Sequence, residues 1–502
     1  MPFADLQSFV VELDRRGQLK RVSVEVDPEL EITEIADRVM KMPSPEGQAG
    51  APPTDPVHGG RGGHALLFEH VAGSNMPVLI NAFGSYRRVA LALGCDDLEE
   101  LGRRIERLIK PELPATLMAK LRKLPDLMRL SSYAPRVVSR GVCQEVVHTD
   151  DADLSMLPAL KCWPQDGGRY ITLGGVVTRS PQTGQDNVGM YRVQLIEPKL
   201  AAMHWHMHHD GARHWRMHER AGQRMPVAVV LGGPSVLPYA ATCPLPPDVS
   251  EFLMAGFLGG AGLELVKCRT NDLHVPASAE IVVEGYIDPA DELILEGPFG
   301  DHTGFYSLAD HFPRAHVTAI THRRDAIYPA TIVGLPPMED YYFGKATERI
   351  FLPLLKMIAP DVIDYHLPMF GTFHHCMFVK IRKEYPYQAR RVISAIWGSG
   401  QMALTKFVVV VDETVNVHDE QDVLFHLCAN VDPRRDTFLV DGPLDILDHA
   451  SPYCGAGSKM GIDATRKIPG EGEVREWPDL ATMTRDVQER VDRRWREYGL
   501  DG

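Results

Sequence analysis

Two carboxylates five residues apart are the clearest candidates for acid/base chemistry in this chain. They stand at the ends of Glu296-Gly-Pro-Phe-Gly-Asp301, where Gly297, Pro298 and Gly300 exclude a regular helix or a central strand. A tight loop can aim two carboxylates at one spot while a neighbour raises the pKa of one of them, as general acid/base catalysis requires. The same spacing also suits an ordinary solvated turn, so the loop alone leaves both interpretations open.

One arginine interrupts an apolar segment that precedes this loop in the chain. Arg192 lies in Tyr191–Ile196, and the composition of that segment predicts a strand. A guanidinium among apolar residues is rarely left unpaired, and Glu296 is a candidate partner. Because many buried ion pairs are purely structural, the sequence leaves both a structural and a functional role open.

A run of histidines, His204-Trp-His206-Met-His208, has residue types that could hold a metal ion. If Ala202–His208 is a strand, the three imidazoles share one face, as in some zinc sites, and a zinc hydrolase becomes one function to consider. On a straight strand, however, alternate residues stand too far apart for all three to bind one ion. The other interpretation is one ligand or none, with the remaining histidines as polar surface.

A glycine-rich segment near the C-terminus carries a single lysine. It reads Gly455-Ala-Gly-Ser-Lys459-Met-Gly461, which fails the spacing of a P-loop, so ATP hydrolysis is not supported. A flexible loop that brings Lys459 onto a phosphate is one interpretation, and an ordinary glycine-rich loop is the other.

The elements that must position these residues divide the chain into three predicted domains. Residues 1–130 mix helices and strands and predict an N-terminal α/β domain, with helices across 86–130. Residues 131–325 contain short strands between turn signals, which suggest a barrel or sandwich, and one clear helix at 249–258. Residues 326–502 alternate strands and helices again and predict a C-terminal α/β domain, with a charged last helix over 474–498.

Composition excludes several classes of partner. The net charge of −14, from 67 Asp and Glu against 53 Lys and Arg, argues against nucleic acid and against a polybasic membrane surface. No apolar run has transmembrane length, and the first residues lack the pattern of a signal peptide. The eight cysteines form no CxxC motif, so free thiols in a reducing cytoplasm are expected.

Several motifs taken together resemble the UbiD family of decarboxylases, in similar order and spacing over nearly the whole chain. They are 187–192, 268–277, 280–286, 296–306 and 458–464. The resemblance is greatest to members that decarboxylate 4-hydroxy-3-polyprenylbenzoate in ubiquinone biosynthesis. It implies a mixed α/β fold with an N-terminal α/β unit, a central split β-barrel that binds flavin and a C-terminal α/β oligomerisation domain.

The resemblance also implies a cofactor and its ligands. The family uses prenylated FMN made by a flavin prenyltransferase, with Mn²⁺ on the phosphate and K⁺ nearby. By position, the metal ligands would be Asn187, His208 and Glu251, and Lys459 would reach the phosphate. A bend at Gly189 would let Asn187 and Arg192 both reach the cofactor. The other residues expected along the cofactor are Met190, Tyr191, His204, Trp205, His206 and Met207.

The catalytic set implied by the resemblance is Arg192, Glu296 and Asp301. Asp301 would protonate the carbon that loses CO₂, and Glu296 with Arg192 would hold the carboxylate and tune Asp301. The reaction would be a reversible, non-oxidative decarboxylation of an aromatic or α,β-unsaturated acid. Other aromatic, heteroaromatic or acrylic acids, and a menaquinone-pathway acid, are the alternatives within the family. A zinc hydrolase and a non-catalytic flavin-binding protein are the rivals outside it.

The partners expected from the resemblance are few. They are a small-molecule acid, the flavin prenyltransferase that supplies the cofactor, and further copies of the same chain in a dimer or hexamer. A polyprenylated substrate would in addition imply contact with the surface of a membrane.

Overall fold

Three β-sheets organise this chain in the computed structural model, which describes residues 1–109, 131–207, 209–246, 248–472 and 475–500. The N-terminal sheet has four strands among the described residues, and helices pack beside it. Its strands, in spatial order, are Leu19–Val22, Ala65–Phe68, Val78–Ile80 and Tyr328–Ala330. Its helices are Leu6–Arg15, Glu31–Met40, Tyr86–Leu93 and Leu98–Ile109.

The N-terminal sheet is completed by a strand from much later in the chain. Tyr328–Ala330 pairs in parallel with Val78–Ile80, although it follows the boundary predicted at residue 325. The domain boundaries near 130 and 325 stay predictions. Residues 110–130, where the sequence predicts further helix, lie outside the described residues.

The central sheet is the largest of the three, with nine strands among the described residues. Eight follow one path, in the order Arg169–Ile171, Val193–Glu197, Leu200–Met203, Arg314–His322, Ala279–Ile287, Met225–Gly232, Gly175–Arg179 and Asp186–Met190. The ninth, Val146–His148, pairs with Arg314–His322. Helices Asp210–Ala221, Leu237–Ala240 and Glu251–Gly259 accompany this sheet, and the last of them confirms the helix predicted at 249–258.

The connection between two of these strands curls the central sheet into a half-barrel. Asp186–Met190 is the edge strand at one end of the path, and Val193–Glu197 is the second strand from the other end. Only Tyr191 and Arg192 join them. Because the three residue steps from Met190 to Val193 span only about 10 Å even when extended, the two ends of the sheet must lie close together.

One apolar core joins the N-terminal and central units. It includes Phe9 and Phe83 from the first part of the chain and Val230 from the central sheet. Phe343 enters the same core from the long helix Glu339–Ile358, which then leads into the C-terminal sheet. The central sheet therefore packs against residues of the N-terminal unit and of the long helix, which are far from it in sequence.

The C-terminal unit is a five-stranded sheet, counted over the described residues. Its strands, in spatial order, are Val362–His366, Cys376–Ile381, Phe407–Asp412, Ala456–Asp463 and Thr437–Pro443. Its helices are Gln388–Trp397, Glu420–Asn430 and Pro433–Asp436. The mixed α/β fold class, with a central split barrel between two α/β units, is confirmed.

The prediction of one long helix over 474–498 is wrong. The described helix is Arg485–Arg494, followed by a single 3₁₀ turn at Trp495–Tyr498. Pro478 lies in the part predicted to be helical, and proline removes a backbone N–H donor and clashes with the preceding turn. None of the described helices is both long enough and apolar enough to span a membrane.

Glu280 gives a pH-dependent test of how the central sheet joins the N-terminal unit. Its side chain is fully buried, and its Oε2 accepts hydrogen bonds from Ile327 N–H at 3.0 Å and Gln7 Nε2 at 3.3 Å. Its Oε1 has no hydrogen-bond partner among the described residues. Burial raises the pKa of Glu280 to about 7, against the hydrogen bonds and the Arg323 charge that lower it.

We expect Glu280→Gln to stabilise the protein at pH 8 but not at pH 5. A raised carboxyl pKa means that the unfolded chain ionises first as pH rises, so the wild-type protein loses stability between about pH 4.5 and pH 7. The variant lacks this penalty, which amounts to at most about 3 kcal/mol. Thermal unfolding of both proteins at the two pH values measures the difference. A variant that is less stable than wild type at pH 8 would show that the carboxylate is charged and paired in the fold.

Candidate active site

Arg192 lies on the seam of the half-barrel, not inside a strand as the sequence predicts. The described strand begins at Val193, so Arg192 belongs to the two-residue link that joins the two ends of the sheet. The bend expected at Gly189 falls in this link. Gly189 stays within its strand, and a Cβ there would lie 2.2 Å from the Tyr191 ring, so the glycine makes room for that ring.

The guanidinium of Arg192 is shared between two carboxylates. Its Nε and Nη2 donate to the two oxygens of Glu296, at 2.8 and 2.9 Å, in a bidentate pair. Its Nη1 donates to Oδ2 of Asp301, and Nη2 also donates to Ser307 Oγ at 3.0 Å. The guanidinium carbon lies 4.7 Å from the centre of the Phe299 ring. The two candidate acids and the arginine therefore form one buried network, as the pairing argument from the sequence suggested.

The loop between the two acids is held by a carboxylate distant in sequence. Asp166 accepts hydrogen bonds from the backbone N–H groups of Gly300, at 2.8 Å, Trp163, at 2.8 Å, and Cys162, at 3.0 Å. A Cβ on Gly300 would lie 2.1 Å from the Trp163 ring, so only glycine fits against that indole. The loop is consequently fixed to a neighbouring segment and is not a solvated turn.

Both acids of the network are ionised in this arrangement. Burial raises the pKa of Glu296, but hydrogen bonds from His204 and Arg192 outweigh burial and bring that pKa down to about 2. Burial acts in the same way on Asp301, and His302 with Arg192 holds the pKa of Asp301 well below its usual range. Burial lowers the pKa of His302, yet its hydrogen bond to Asp301 raises the net value to about 9, so His302 is an imidazolium.

The described part of the histidine run, from His204 to Met207, is not the strand that the sequence predicts, so these residues do not share the strand face on which a three-histidine zinc site would depend. The strand ends at Met203, and the chain then turns towards the helix that begins at Asp210. His204 Nδ1 lies 2.8 Å from Glu296 Oε2, and His204 Nε2 lies 2.7 Å from His206 Nε2. Because a carboxylate holds His204, its imidazole is drawn into the acid network. His208, the predicted metal ligand, lies outside the described residues.

Asn187 and Glu251 do lie together, at the start of the helix Glu251–Gly259. Both side chains are buried, with exposed fractions of 8% and 6%. One end of the Asn187 amide lies 3.3 Å from Glu251 Oε1, and Glu251 Oε2 accepts the N–H of Val188 at 2.7 Å. Burial raises the pKa of Glu251 to about 7, and no lysine or arginine among the described residues offsets that effect. An amide oxygen and a carboxylate without a nearby cation are a donor set that suits a hard divalent ion.

Of the other predicted cofactor residues, Tyr191 lies beside this pair: burial raises the pKa of its hydroxyl group, and the Glu251 charge and the Asn187 side chain also act on it. Tyr191 and Trp205 are buried, with their ring centres 6.2 Å apart. The backbone N–H of Met190 donates to Ala241 at 3.0 Å, whereas the side chain of Met207 is largely exposed.

The structure does not bring Lys459 to these residues. Its Nζ donates to the carbonyl of Ala403 and lies 5.8 Å from the ring centre of Trp397, both in the C-terminal unit. Its hydrogen bonds and ring contacts among the described residues reach none of the other predicted site residues. Burial lowers the pKa of Lys459 to about 8. A phosphate contact from Lys459 stays a prediction.

Sequence reasoning missed Asp166, His302 and Ser307. Asp166 and Ser307 lie outside every spacing pattern, and only the folded chain brings them to the loop. His302 is adjacent to Asp301, and an imidazole beside a candidate acid is a signal that could have been used. Its Nδ1 lies 3.0 Å from Asp301 Oδ1.

A second group of metal-binding residue types lies in the C-terminal unit and was also missed. Glu348, His366 and His418 are buried, with their ligand atoms within 4.8 Å of one another. Lys345 already places its ammonium there, 2.5 Å from Glu348 Oε2 and 2.8 Å from His366 Nδ1. The cation that this cluster needs is therefore provided by the chain itself.

Models of known protein families match most of the chain. Three models describe domains of a 3-octaprenyl-4-hydroxybenzoate carboxy-lyase: the UbiD N-terminal domain matches residues 10–108, the Rift-related domain residues 136–336, and the C-terminal domain residues 341–464. An uncharacterized protein of Aquifex aeolicus is 48% identical over 499 residues, which cover 99% of both chains.

Solved structures show the same architecture over the full length. Vanillic acid decarboxylase from Sedimentibacter hydroxybenzoicus, in its closed form, is 27% identical, with a TM-score of 0.82 over 99% of each chain. An evolved dimeric form of the UbiD-class enzyme HmfF from Pelotomaculum thermopropionicum, in complex with prFMN, is 28% identical, with a TM-score of 0.74. That match covers 97% of this chain and 100% of the HmfF chain.

Removing the shared cation should destabilise the half-barrel. Arg192→Ala leaves Glu296 buried without its bidentate partner, and breaking a buried pair in this way typically costs about 3–5 kcal/mol. The double variant Arg192→Ala/Glu296→Gln also removes the negative charge of Glu296, which would otherwise be buried without its arginine. It should therefore recover much of the lost stability. Thermal unfolding of wild type and of the two variants, at one pH, measures both effects. Equal stability of the three proteins would contradict the geometry described for this network.

Proposed function

The chain belongs to the UbiD family of carboxy-lyases, and we propose that it removes CO₂ from an aromatic acid with prenylated FMN as its cofactor. The single observation that carries this proposal is the arginine shared by a buried carboxylate, Glu296, and a partly buried one, Asp301. One carboxylate has a fixed bidentate partner, and the other is held by a single nitrogen of the same guanidinium and by an imidazolium. That asymmetry gives the two acids different roles.

Glu296 keeps Arg192 in place and charged. The bidentate pair fixes the plane of the guanidinium, and the Glu296 carboxylate stays ionised at every pH at which the protein would work. Ser307 Oγ accepts from Nη2, which leaves Nη1 as the nitrogen turned towards Asp301. We propose that this face of the guanidinium binds the carboxylate of the substrate, because arginine matches the planar geometry of a carboxylate.

Asp301 delivers the proton in this proposal. It cannot do so while Arg192 and His302 keep it ionised, so it must first take up a proton. A substrate carboxylate that takes over Nη1 removes one of the two cations beside Asp301 and places a second negative charge next to it. Both changes raise the pKa of Asp301. The protonated acid then gives its proton to the carbon that has lost CO₂, and solvent restores the proton afterwards.

Asn187 and Glu251 would hold the metal that binds the cofactor phosphate, with His208 as the third ligand. The buried oxygens of this pair fit Mn²⁺, and a K⁺ ion nearby belongs to the same proposal. Prenylated FMN, when bound, supplies an electron sink for the pair of electrons left by the departing CO₂. HmfF, similar over its full length, was solved with prFMN, and this supports the choice of cofactor.

The substrate is proposed at the level of an aromatic acid. The sequence resemblance favours 4-hydroxy-3-polyprenylbenzoate of ubiquinone biosynthesis, whereas a solved relative acts on vanillic acid. Supply of the cofactor by a flavin prenyltransferase, a homo-oligomeric assembly and a cytoplasmic location belong to the same proposal.

Production of the protein with and without a flavin prenyltransferase tests the proposed function. We expect CO₂ release from at least one aromatic acid only when the prenyltransferase is present, because unmodified FMN lacks the required electron sink. The assay measures CO₂ and product over a panel that runs from vanillic acid to polyprenylated hydroxybenzoates. Equal turnover by protein that contains FMN alone, or by protein without flavin, would sink the proposal.

Metal and cofactor should be lost together when Glu251 is changed. Glu251→Gln keeps the shape of the side chain but removes the negative charge, so Mn²⁺ and flavin content should both fall. His204→Ala is the matched control, since His204 contacts Glu296 rather than the proposed metal site. Metal analysis and flavin absorbance of the two purified variants decide the point. If His204→Ala loses the metal and Glu251→Gln keeps it, the metal assignment is wrong.

Asp301→Asn should stop turnover while the cofactor stays bound. The amide preserves size and much of the hydrogen bonding but cannot donate an acidic proton, and general acids typically contribute ~10²–10⁴-fold to rate. Steady-state turnover and the flavin spectrum of the same preparation are the two readouts. Near-normal turnover would mean that another group, or water, supplies the proton.

A further inference from the structure

His302 lies between a carboxylate of the half-barrel and a carboxylate of the C-terminal unit. Its Nδ1 lies 3.0 Å from Oδ1 of Asp301, and its backbone N–H donates to the same oxygen at 2.7 Å. Its Nε2 lies 4.0 Å from Oδ2 of Asp445, which follows the strand Thr437–Pro443 of the C-terminal sheet. Each nitrogen of the ring therefore has a negative charge beside it, one from each unit.

Asp445 is a buried carboxylate that serves two imidazoles. Its Oδ1 accepts the N–H of Leu447 at 2.9 Å, while its Oδ2 lies 3.9 Å from Nε2 of His374 as well as 4.0 Å from that of His302. Separations of about 4 Å are too long for direct hydrogen bonds, and water typically bridges polar atoms at such distances. One carboxylate oxygen of the C-terminal unit is thus directed at His302 and at a second imidazole.

Charged and titratable groups face His302 from every segment packed against it. The acids are Asp301, Asp445 and Asp340, and the basic groups are His374, His375 and Lys345. Burial lowers the pKa of His302, but the three carboxylates outweigh burial and raise that pKa to about 9. Burial lowers the pKa of His374 and of His375, and the His302 charge lowers both further. The Lys345 ammonium is paired with Glu348. Of the three imidazoles, His302 is the one that carries a proton to give.

His302 is also more open to solvent than the groups it serves. The exposed fraction of the side chain is 0% for Glu296, 7% for Arg192, 13% for Asp301 and 18% for His302. A small cavity of about 10 Å³ has His302 in its wall, and one water molecule needs roughly 10–15 Å³. Water therefore reaches the network of Arg192 more readily at His302 than at Glu296 or at the guanidinium itself.

We propose, on the basis of the function proposed above, that His302 is the proton relay that supplies Asp301 and that Asp445 positions its ring from the C-terminal unit. The imidazolium gives the proton on Nδ1 to Oδ1 of Asp301 and keeps the proton on Nε2, beside Asp445. Asp301 then gives its proton to the carbon that has lost CO₂, and water returns a proton to Nδ1. Each turnover consumes one proton from solvent. His302 acts through Asp301, and Asp445 acts through His302, so neither contacts the reacting carbon.

The change of partners at Arg192 is what makes this transfer favourable. When the substrate carboxylate takes over Nη1, His302 is the acid that remains in contact with Asp301. The second negative charge beside Asp301 favours its neutral form. Transfer of one proton over 3.0 Å then converts a buried ion pair into two neutral partners, so no charge is left unpaired. The relay is complete only while the C-terminal unit lies against the half-barrel, because Asp445 belongs to that unit.

The pH dependence of kcat/KM for the flavin-loaded enzyme tests the relay, because this parameter reports ionisations of the free enzyme. The imidazolium is present below its pKa and lost above it, so wild-type activity should fall above about pH 9. Asp445→Asn removes a charge that favours the imidazolium, so the fall should begin about one pH unit lower. His426→Gln is the matched control, since its ring lies beside Asp422 on the helix Glu420–Asn430, and its profile should be that of wild type. A purely structural role would change the rate and leave this midpoint in place.

His302→Gln tests the transfer itself. The amide can still donate a hydrogen bond to Asp301 but has no acidic proton, so turnover at pH 7 should fall by ~10²-fold and the fall above pH 9 should disappear. Thermal unfolding and flavin content show whether each variant is intact. If His302→Gln loses its flavin, Asp445→Asn decides the question. Turnover by intact His302→Gln within a few-fold of wild type, or an unmoved midpoint in Asp445→Asn, would overturn the relay.

An NMR titration of His302 separates this inference from the proposed function. The protein is labelled in its histidine rings, and the His302 signal is the one that His302→Gln lacks. We expect a midpoint near pH 9 in wild type and a lower one in Asp445→Asn. If the midpoint moves in this way but no aromatic acid releases CO₂, the proposed function fails and the placement of His302 between the two carboxylates stands. If CO₂ is released and the midpoint is the same in both proteins, the proposed function stands and the relay fails.

Discussion

One positive charge shared by a buried and a partly buried carboxylate is the interaction on which the rest of this site depends. Arg192 has an exposed fraction of 9% and Glu296 of 0%, so neither charge is solvated by bulk water. Each is stable in the fold only because the other is present, since an isolated buried charge costs several kcal/mol. Glu296 uses two nitrogens of the guanidinium and Asp301 uses the third. Glu296 is therefore held rigidly on the guanidinium, whereas another carboxylate can replace Asp301 on the third nitrogen.

The scaffold around this network explains how three distant parts of the chain reach one point. The two-residue link places Arg192 on the seam where the curled central sheet meets itself. Asp166 holds the loop that carries the two acids by accepting three backbone N–H groups. Buried carboxylates that accept several backbone donors fix a loop without adding bulk, which leaves the space beside it open.

The sequence predicts the chemistry of this site better than its shape. A guanidinium among apolar residues must find a carboxylate, so the pairing of Arg192 with Glu296 follows from composition and a short list of acids. The histidine run misleads, because alternation suggests a strand while His204 is in fact drawn to Glu296. Asp166 carries no local signal at all, since its role arises from a contact with Gly300, which is far away in sequence. The pairing of the strand Tyr328–Ala330 with Val78–Ile80 has no local signal for the same reason.

Hydrogen exchange at the product carbon tests the central claim most directly, because it isolates the proton step from loss of CO₂. The decarboxylated product is incubated with flavin-loaded enzyme in D₂O, and NMR follows deuterium at the carbon that carried the carboxylate. If Asp301 is the acid that serves this carbon, wild type catalyses the exchange, and Asp301→Asn with its flavin still bound is slower by ~10²-fold or more. Exchange at the wild-type rate in Asp301→Asn would contradict the account and would assign the proton to another group.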